Sequence, residues 1–108
     1  MKVIIIQTAY PTKKQAKKMA QILIEKKLAA CVQINKIKSF YNWEKRFCED
    51  KEYILNIKTK KQNYKKIQRE IKENHSYDLP EIIAIDIAKS SLEYKNFIEE
   101  NIIWMIIF

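Results

Sequence analysis

Thr59-Lys60-Lys61-Gln62 repeats Thr12-Lys13-Lys14-Gln15 letter for letter, each time where a strand-like apolar pattern gives way to helical spacing. Both have the Thr-x-x-Gln form of a capping box, in which the Thr hydroxyl and the Gln side chain satisfy backbone donors at a helix start. Before the first box, Val3-Ile4-Ile5-Ile6 runs to Gln7-Thr8, the pattern of a strand buried on both faces and so near a sheet centre. After it, Ala16, Met19, Ala20 and Leu23 fall on one face and Lys14, Lys18, Gln21 and Glu25 on the other. That spacing predicts a helix to about Lys27. Before the second box, Tyr53, Leu55 and Ile57 alternate with Glu52, Ile54, Asn56 and Lys58; after it, Tyr64, Ile67 and Ile71 share a helical face.

Between the halves, Leu28-Ala29-Ala30-Cys31-Val32-Gln33-Ile34 reads as a strand whose alternation continues through Ile37, Ser39, Tyr41 and Trp43 to a turn near Glu44-Lys45-Arg46. Ile82 to Ile87 reads as a fourth strand, and Ser90-Ser91-Leu92-Glu93 as a capping form opening a third helix with Leu92, Tyr94, Phe97 and Ile98. Each half is strand, capped helix, strand, and a long hairpin joins them. The expected fold class is α+β: a ferredoxin-like split β-α-β subunit, βαββαβ plus a C-terminal helix. Residues 1–108 form one domain, ending in an apolar tail over residues 102–108. That tail needs burial, either folded back on the sheet or shared between subunits.

Composition removes several functions. With no glycine among 108 residues there is no phosphate-cradling loop, no dinucleotide fingerprint and no RNA-recognition strand with glycines beside its aromatics. The net charge of +8 is uneven: residues 1–72 carry 19 basic and 6 acidic side chains, residues 73–108 carry 2 and 7. This suits solvated lysine faces or contact between a basic and an acidic surface, and no nucleic-acid partner is expected. Cys31 and Cys48 make no disulfide framework, and the first residues do not read as a signal peptide, so a cytoplasmic, reduced protein is expected. The longest apolar run, Ile102 to Phe108, falls far short of the roughly 20 residues a spanning helix needs, and no membrane insertion is expected.

The box His75-Ser76-Tyr77-Asp78-Leu79-Pro80-Glu81-Ile82-Ile83 holds the one histidine and a carboxylate just before an apolar run. Pro80 stiffens the turn and stops a helix. With one imidazole and two thiols, a closed zinc site of Cys and His cannot be built from one chain. An open copper-type site using Cys31 or His75 with a carboxylate remains, with ligands drawn from several subunits; the plain alternatives are a hydrogen-bonded histidine and a core cysteine. No nucleophile motif is present, and no enzymatic activity is expected.

Leu28-Ala29-Ala30-Cys31-Val32, Ser39-Phe40-Tyr41-Asn42-Trp43-Glu44, Ile57-Lys58-Thr59 and His75-x-Tyr77-x-x-Pro80-Glu81-Ile82-Ile83 together resemble, in order and spacing, the CutA family of divalent-cation-tolerance proteins, from about Val3 to Ile98. The resemblance implies a tight homotrimer of ferredoxin-like subunits, similar in layout to the PII type of signalling trimer. It implies tolerance to copper and other divalent cations rather than catalysis. It also places a ligand cleft between subunits, drawing on Cys31, Tyr41, Trp43, Lys58, His75, Tyr77 and Glu81, with Cys31 and His75 as the metal donors. No cofactor is required on this reading; copper or another divalent cation is the metal it admits. The alternative is a PII-like signalling or scaffold trimer that binds a small ligand or a protein and responds to metal indirectly. Where the family carries Gly after Trp-Glu this chain has Lys45, which calls for another turn conformation or for left-handed strain at a non-glycine residue.

Overall fold

In the computed structural model, which describes residues 2–102, the elements are β1 (Val3–Tyr10), α1 (Lys13–Glu25), β2 (Cys31–Trp43), β3 (Arg46–Lys60), α2 (Tyr64–Glu73), β4 (Ile83–Asp86) and α3 (Leu92–Glu100), with a 3-10 turn at Lys61–Asn63 before α2. The four strands form one antiparallel sheet in the order β2-β3-β1-β4. β1 and β2, joined through α1, are therefore not neighbours: β3 lies between them, and the two halves interleave. The tail expectation falls on residues 103–108, outside those described; Ile102, where the apolar run begins, is buried.

Alternation sorts each strand between two faces. Ile4, Ile6 and Tyr10 of β1 and Leu55 and Ile57 of β3 point one way, where Ala16, Met19 and Leu23 of α1 and Ile67 and Ile71 of α2 close over them. Among the described residues the opposite face is covered at one end, where Val3 packs with Ile98 and Ile102. Its middle carries a ladder of amides, Gln7 to Asn56 at 2.7 Å and Asn56 to Asn35 at 3.5 Å. Beside them Ile83 and Ile85 stay 46% and 45% exposed, a half-bare sheet face. Of the four apolar residues assigned to α3, only Ile98 is buried; Leu92, Tyr94 and Phe97 are exposed, because nine residues reach only the end of the sheet.

The boundaries differ from the sequence reading for local reasons. Helix α1 stops at Glu25, and β2 begins at Cys31 rather than Leu28, because Lys27 donates to the Ile24 carbonyl and Leu28 to the Leu23 carbonyl. This is a Schellman ending, with Lys27 left-handed at φ 55° where glycine is usual. The first capping box holds in its Thr half: Thr12 Oγ1 accepts from Gln15 N at 3.2 Å, while the Gln15 side chain accepts from Ser76 Oγ at 3.1 Å. The second does not. Thr59 and Lys60 still pair with Ile4 and Val3, so the strand runs through the first half of the box and no side chain caps α2. At α3 the cap is Ser91, which accepts from Tyr94 N, one residue later than the Ser90-x-x-Glu93 reading. β4, read as Ile82 to Ile87, is trimmed to Ile83–Asp86.

β3 begins at Arg46, not Glu52, and among the described residues the outer hairpin pairs with no third strand, in an outline of 48 × 30 × 22 Å. Its tip is a two-residue turn closed by the Trp43–Arg46 pair, with Glu44 at φ 50° and Lys45 at φ 66°. Two successive left-handed residues match the twist of a hairpin, the geometry that favours Asn-Gly. Lys45 occupies the expected glycine position under strain. Lys45→Gly is expected to raise stability by roughly 0.5–1 kcal/mol, since relief of left-handed strain exceeds the added freedom of the unfolded chain. An unchanged or lower denaturation midpoint would contradict this.

Candidate functional site

Beneath the free half of the hairpin lies an open cleft of about 720 Å³, floored by Ala9 and walled by Tyr41, Trp43 and Glu52 on one side and Tyr77, Leu79 and Glu81 on the other. The hairpin supplies its wall by period-two alternation. Tyr41 and Trp43 of β2 share a side with Asp50 and Glu52 of β3, as the pairs Ser39–Asp50 and Tyr41–Cys48 require. Lys38 and Glu49 pair at 3.3 Å on the reverse side. The facing wall is the loop after α2, which Pro80 keeps from continuing as helix.

His75 anchors that loop. The Tyr77 backbone N–H donates to Nδ1 at 3.1 Å, which places the proton on Nε2, and Nε2 donates to the Ala9 carbonyl at 2.7 Å. The ring stacks on Tyr10 with centroids 4.1 Å apart and lies 4.8 Å from the Tyr77 ring. Burial pulls its pKa below the ordinary 6.5, with the Ala9 contact and the charge of Glu52 opposing. Since the unfolded chain takes the proton first, stability is full above about pH 6.5 and falls as pH drops from there through the folded value. The stability advantage of the wild type over His75→Gln is expected to shrink as pH falls from about 7 to 5. A pH-independent difference in their thermal midpoints would oppose this assignment.

The tyrosine hydroxyls fix the carboxylates. Tyr77 Oη donates to Glu52 Oε2 at 2.9 Å, and Tyr41 Oη donates to Asp50. Both phenols are held protonated: Tyr41 is pushed up to about 12, chiefly by its hydrogen bond to Asp50, and Tyr77 is raised by burial and then by Glu52. Burial and the charge of Glu52 raise Glu81 in turn. Among the described residues no lysine or arginine makes an ion pair with Asp50, Glu52 or Glu81.

Of the residues expected at the cleft, Tyr41, Trp43, Tyr77 and Glu81 line it, and His75 stands behind its loop wall. Cys31 and Lys58 are elsewhere. They pair with each other across β2 and β3, and Lys58 is level with Ile5, four residues from Ala9, which is roughly 13 Å of strand. There Lys58 donates to Tyr94 Oη at 3.1 Å and lies over its ring. One subunit therefore does not bring Cys31 and His75 together as a donor pair, and its described residues hold no group of three or more His, Cys, Asp or Glu suited to a metal ion. The sequence reading missed Glu52 and Asp50, because it began the third strand at Glu52 and so lacked the register that sets them beside Tyr41.

The family model for CutA1 divalent ion tolerance protein matches residues 4–101. The Divalent-cation tolerance protein CutA of Thermus thermophilus is 35% identical over 98 residues, 90% of this chain and 95% of that protein. The solved structure of the Periplasmic divalent cation tolerance protein CutA from Archaeoglobus fulgidus superposes with a TM-score of 0.89 at 36% identity, covering 92% of this chain and 97% of that one. Protein CutA, chloroplastic, from Arabidopsis thaliana is 34% identical over 91% of this chain and 54% of its own length.

Proposed function

The chain belongs to the CutA1 divalent ion tolerance family, and from that premise we propose that it acts as a non-enzymatic homotrimer of ferredoxin-like subunits in the response to divalent cations, with its clefts between subunits. The half-bare sheet face carries the trimer reading. Ile83 and Ile85 are too exposed beside Ile5 for a finished surface, and a second and third copy would cover them. In such an assembly the cleft under the hairpin borders the same face. The compartment we propose is the cytoplasm, on two cysteines left free and half-buried. Relatives carry the words periplasmic and chloroplastic in their names, and no helix among the described residues is long and apolar enough to cross a membrane.

For direct metal binding, the soft thiolate of Cys31 and the imidazole of His75 favour copper, with different subunits supplying them. One observation favours the PII-like scaffold reading instead: both ring nitrogens of His75 are already engaged, so coordination would break the contact that holds the loop. A copper titration by calorimetry on a trimer of verified mass separates the two. Stoichiometric binding tighter than about micromolar, lost in Cys31→Ser and His75→Ala, is the expected result of direct binding. Weaker uptake, or uptake that ignores both substitutions, leaves a scaffold with an indirect metal response.

A further inference from the structure

We infer that the cleft under the hairpin binds a small organic ammonium, a ligand carrying an amine on a short carbon skeleton. The inference deepens the proposed function and rests on its premise that this cleft stays open as a ligand site in the assembled protein. Three observations carry it. First, within one subunit the cleft holds negative charge with no ion-paired cation among the described residues: Glu52 lines it at 9% exposure with a neutral hydrogen bond from Tyr77, and Glu81 stands near enough to feel its charge. A carboxylate so deeply buried without a cation is costly, and a positively charged occupant removes that cost.

Second, the two tyrosines have no hydroxyl proton left to give: Tyr77 donates to Glu52 and Tyr41 to Asp50, so their phenolic oxygens and the two carboxylates act as acceptors. The complement is a donor-rich cation. Third, Trp43, Tyr41 and Tyr77 give the walls aromatic faces, which attract an ammonium and pack against the carbon attached to it. A bare metal ion fits this arrangement less well, because it needs several donors converging within about 2–2.6 Å of one point. No such cluster of His, Cys, Asp or Glu occurs among the described residues. An ammonium can instead reach spaced acceptors through separate N–H bonds.

The test is a calorimetric titration of the full-length protein with 1,4-diaminobutane, and with 1,4-butanediol as the uncharged analogue. Expected are saturable binding of the diamine alone and at least a roughly tenfold loss of affinity in Glu52→Gln, which keeps an acceptor for Tyr77. Glu81→Gln, on the exposed loop, is expected to weaken binding too, and it keeps the test decisive where Glu52→Gln does not fold. No saturable binding, equal binding of the diol, or indifference to both substitutions overturns the inference. Copper is titrated on the same sample. Copper uptake without a diamine response overturns the inference and leaves direct metal binding standing; a diamine response without copper uptake upholds it and removes direct metal binding.

Discussion

On the proposed trimer, Ile85→Lys is expected to yield folded monomers in place of the assembly, measured by light scattering after size exclusion. Ile85 faces Ile5 across β1 and β4 on the side of the sheet that the helices leave bare, and 45% of it is exposed in the isolated subunit. A lysine there meets water in the monomer, so the circular dichroism of the separated subunit should match the wild type. In a trimer closed over this face the same ammonium is buried without a partner. Each copy loses an apolar contact worth roughly 1.5–3 kcal/mol, and the buried charge costs several more. Three copies multiply that penalty in one assembly equilibrium, enough to shift it by several powers of ten. Ile24→Lys is the control, since Ile24 is 43% exposed on α1, away from that face, and its substitution should leave the mass unchanged. A trimer that keeps its mass and thermal midpoint with lysine at position 85 would remove the sheet face from the interface.

What was legible in the sequence followed from periodicity; what was not followed from pairing. Val3 to Ile6 announced an internal strand, and Ala16, Met19 and Leu23 an amphipathic helix, because burial of one face is written directly into spacing. Thr12 also behaved as its local motif requires. Thr59, in the same four-letter context, does not, because two more rungs to β1 hold Thr59 and Lys60 in the strand. A cap depends on where the ladder stops, and the partner strand decides that. The site divides in the same way. Tyr41, Trp43, Tyr77 and Glu81 were found through family-like motifs, and the fold brings them to one cleft. Glu52 and Asp50 escaped notice because a charged residue on an alternating strand is ordinarily solvated; only the hairpin register sets them against the tyrosines. Cys31 and Lys58, read by motif as residues of a cleft between subunits, lie within one subunit at the other end of the sheet, where their register sets them.

Asn63→Asp is expected to destabilise the subunit by roughly 3 kcal/mol at neutral pH, although it changes one buried NH₂ to an oxygen of nearly the same size. Asn63 is buried and donates through Nδ2 to the Leu28 carbonyl at 2.9 Å, while Thr59 Oγ1 donates to the same carbonyl at 2.7 Å. The Leu28 carbonyl belongs to the connection between α1 and β2, so this pair of donors ties the helix-to-strand connection of the first half to the strand-to-helix junction of the second. This is what Thr59 does instead of capping. A carboxylate at position 63 cannot donate; it sets negative oxygen against the carbonyl and places a charge where the native side chain is buried. Burial raises the pKa of such a group above the unfolded value of about 3.9, so its folded form takes up a proton first as pH falls. The protonated acid donates again. The deficit relative to wild type should therefore be full above the raised folded pKa and shrink as pH drops through it toward the unfolded value. Urea denaturation of both proteins across that range measures the difference directly. A deficit that stays constant, or an Asn63→Asp variant as stable as the wild type at neutral pH, would show that the Leu28 carbonyl does not depend on the Asn63 donor.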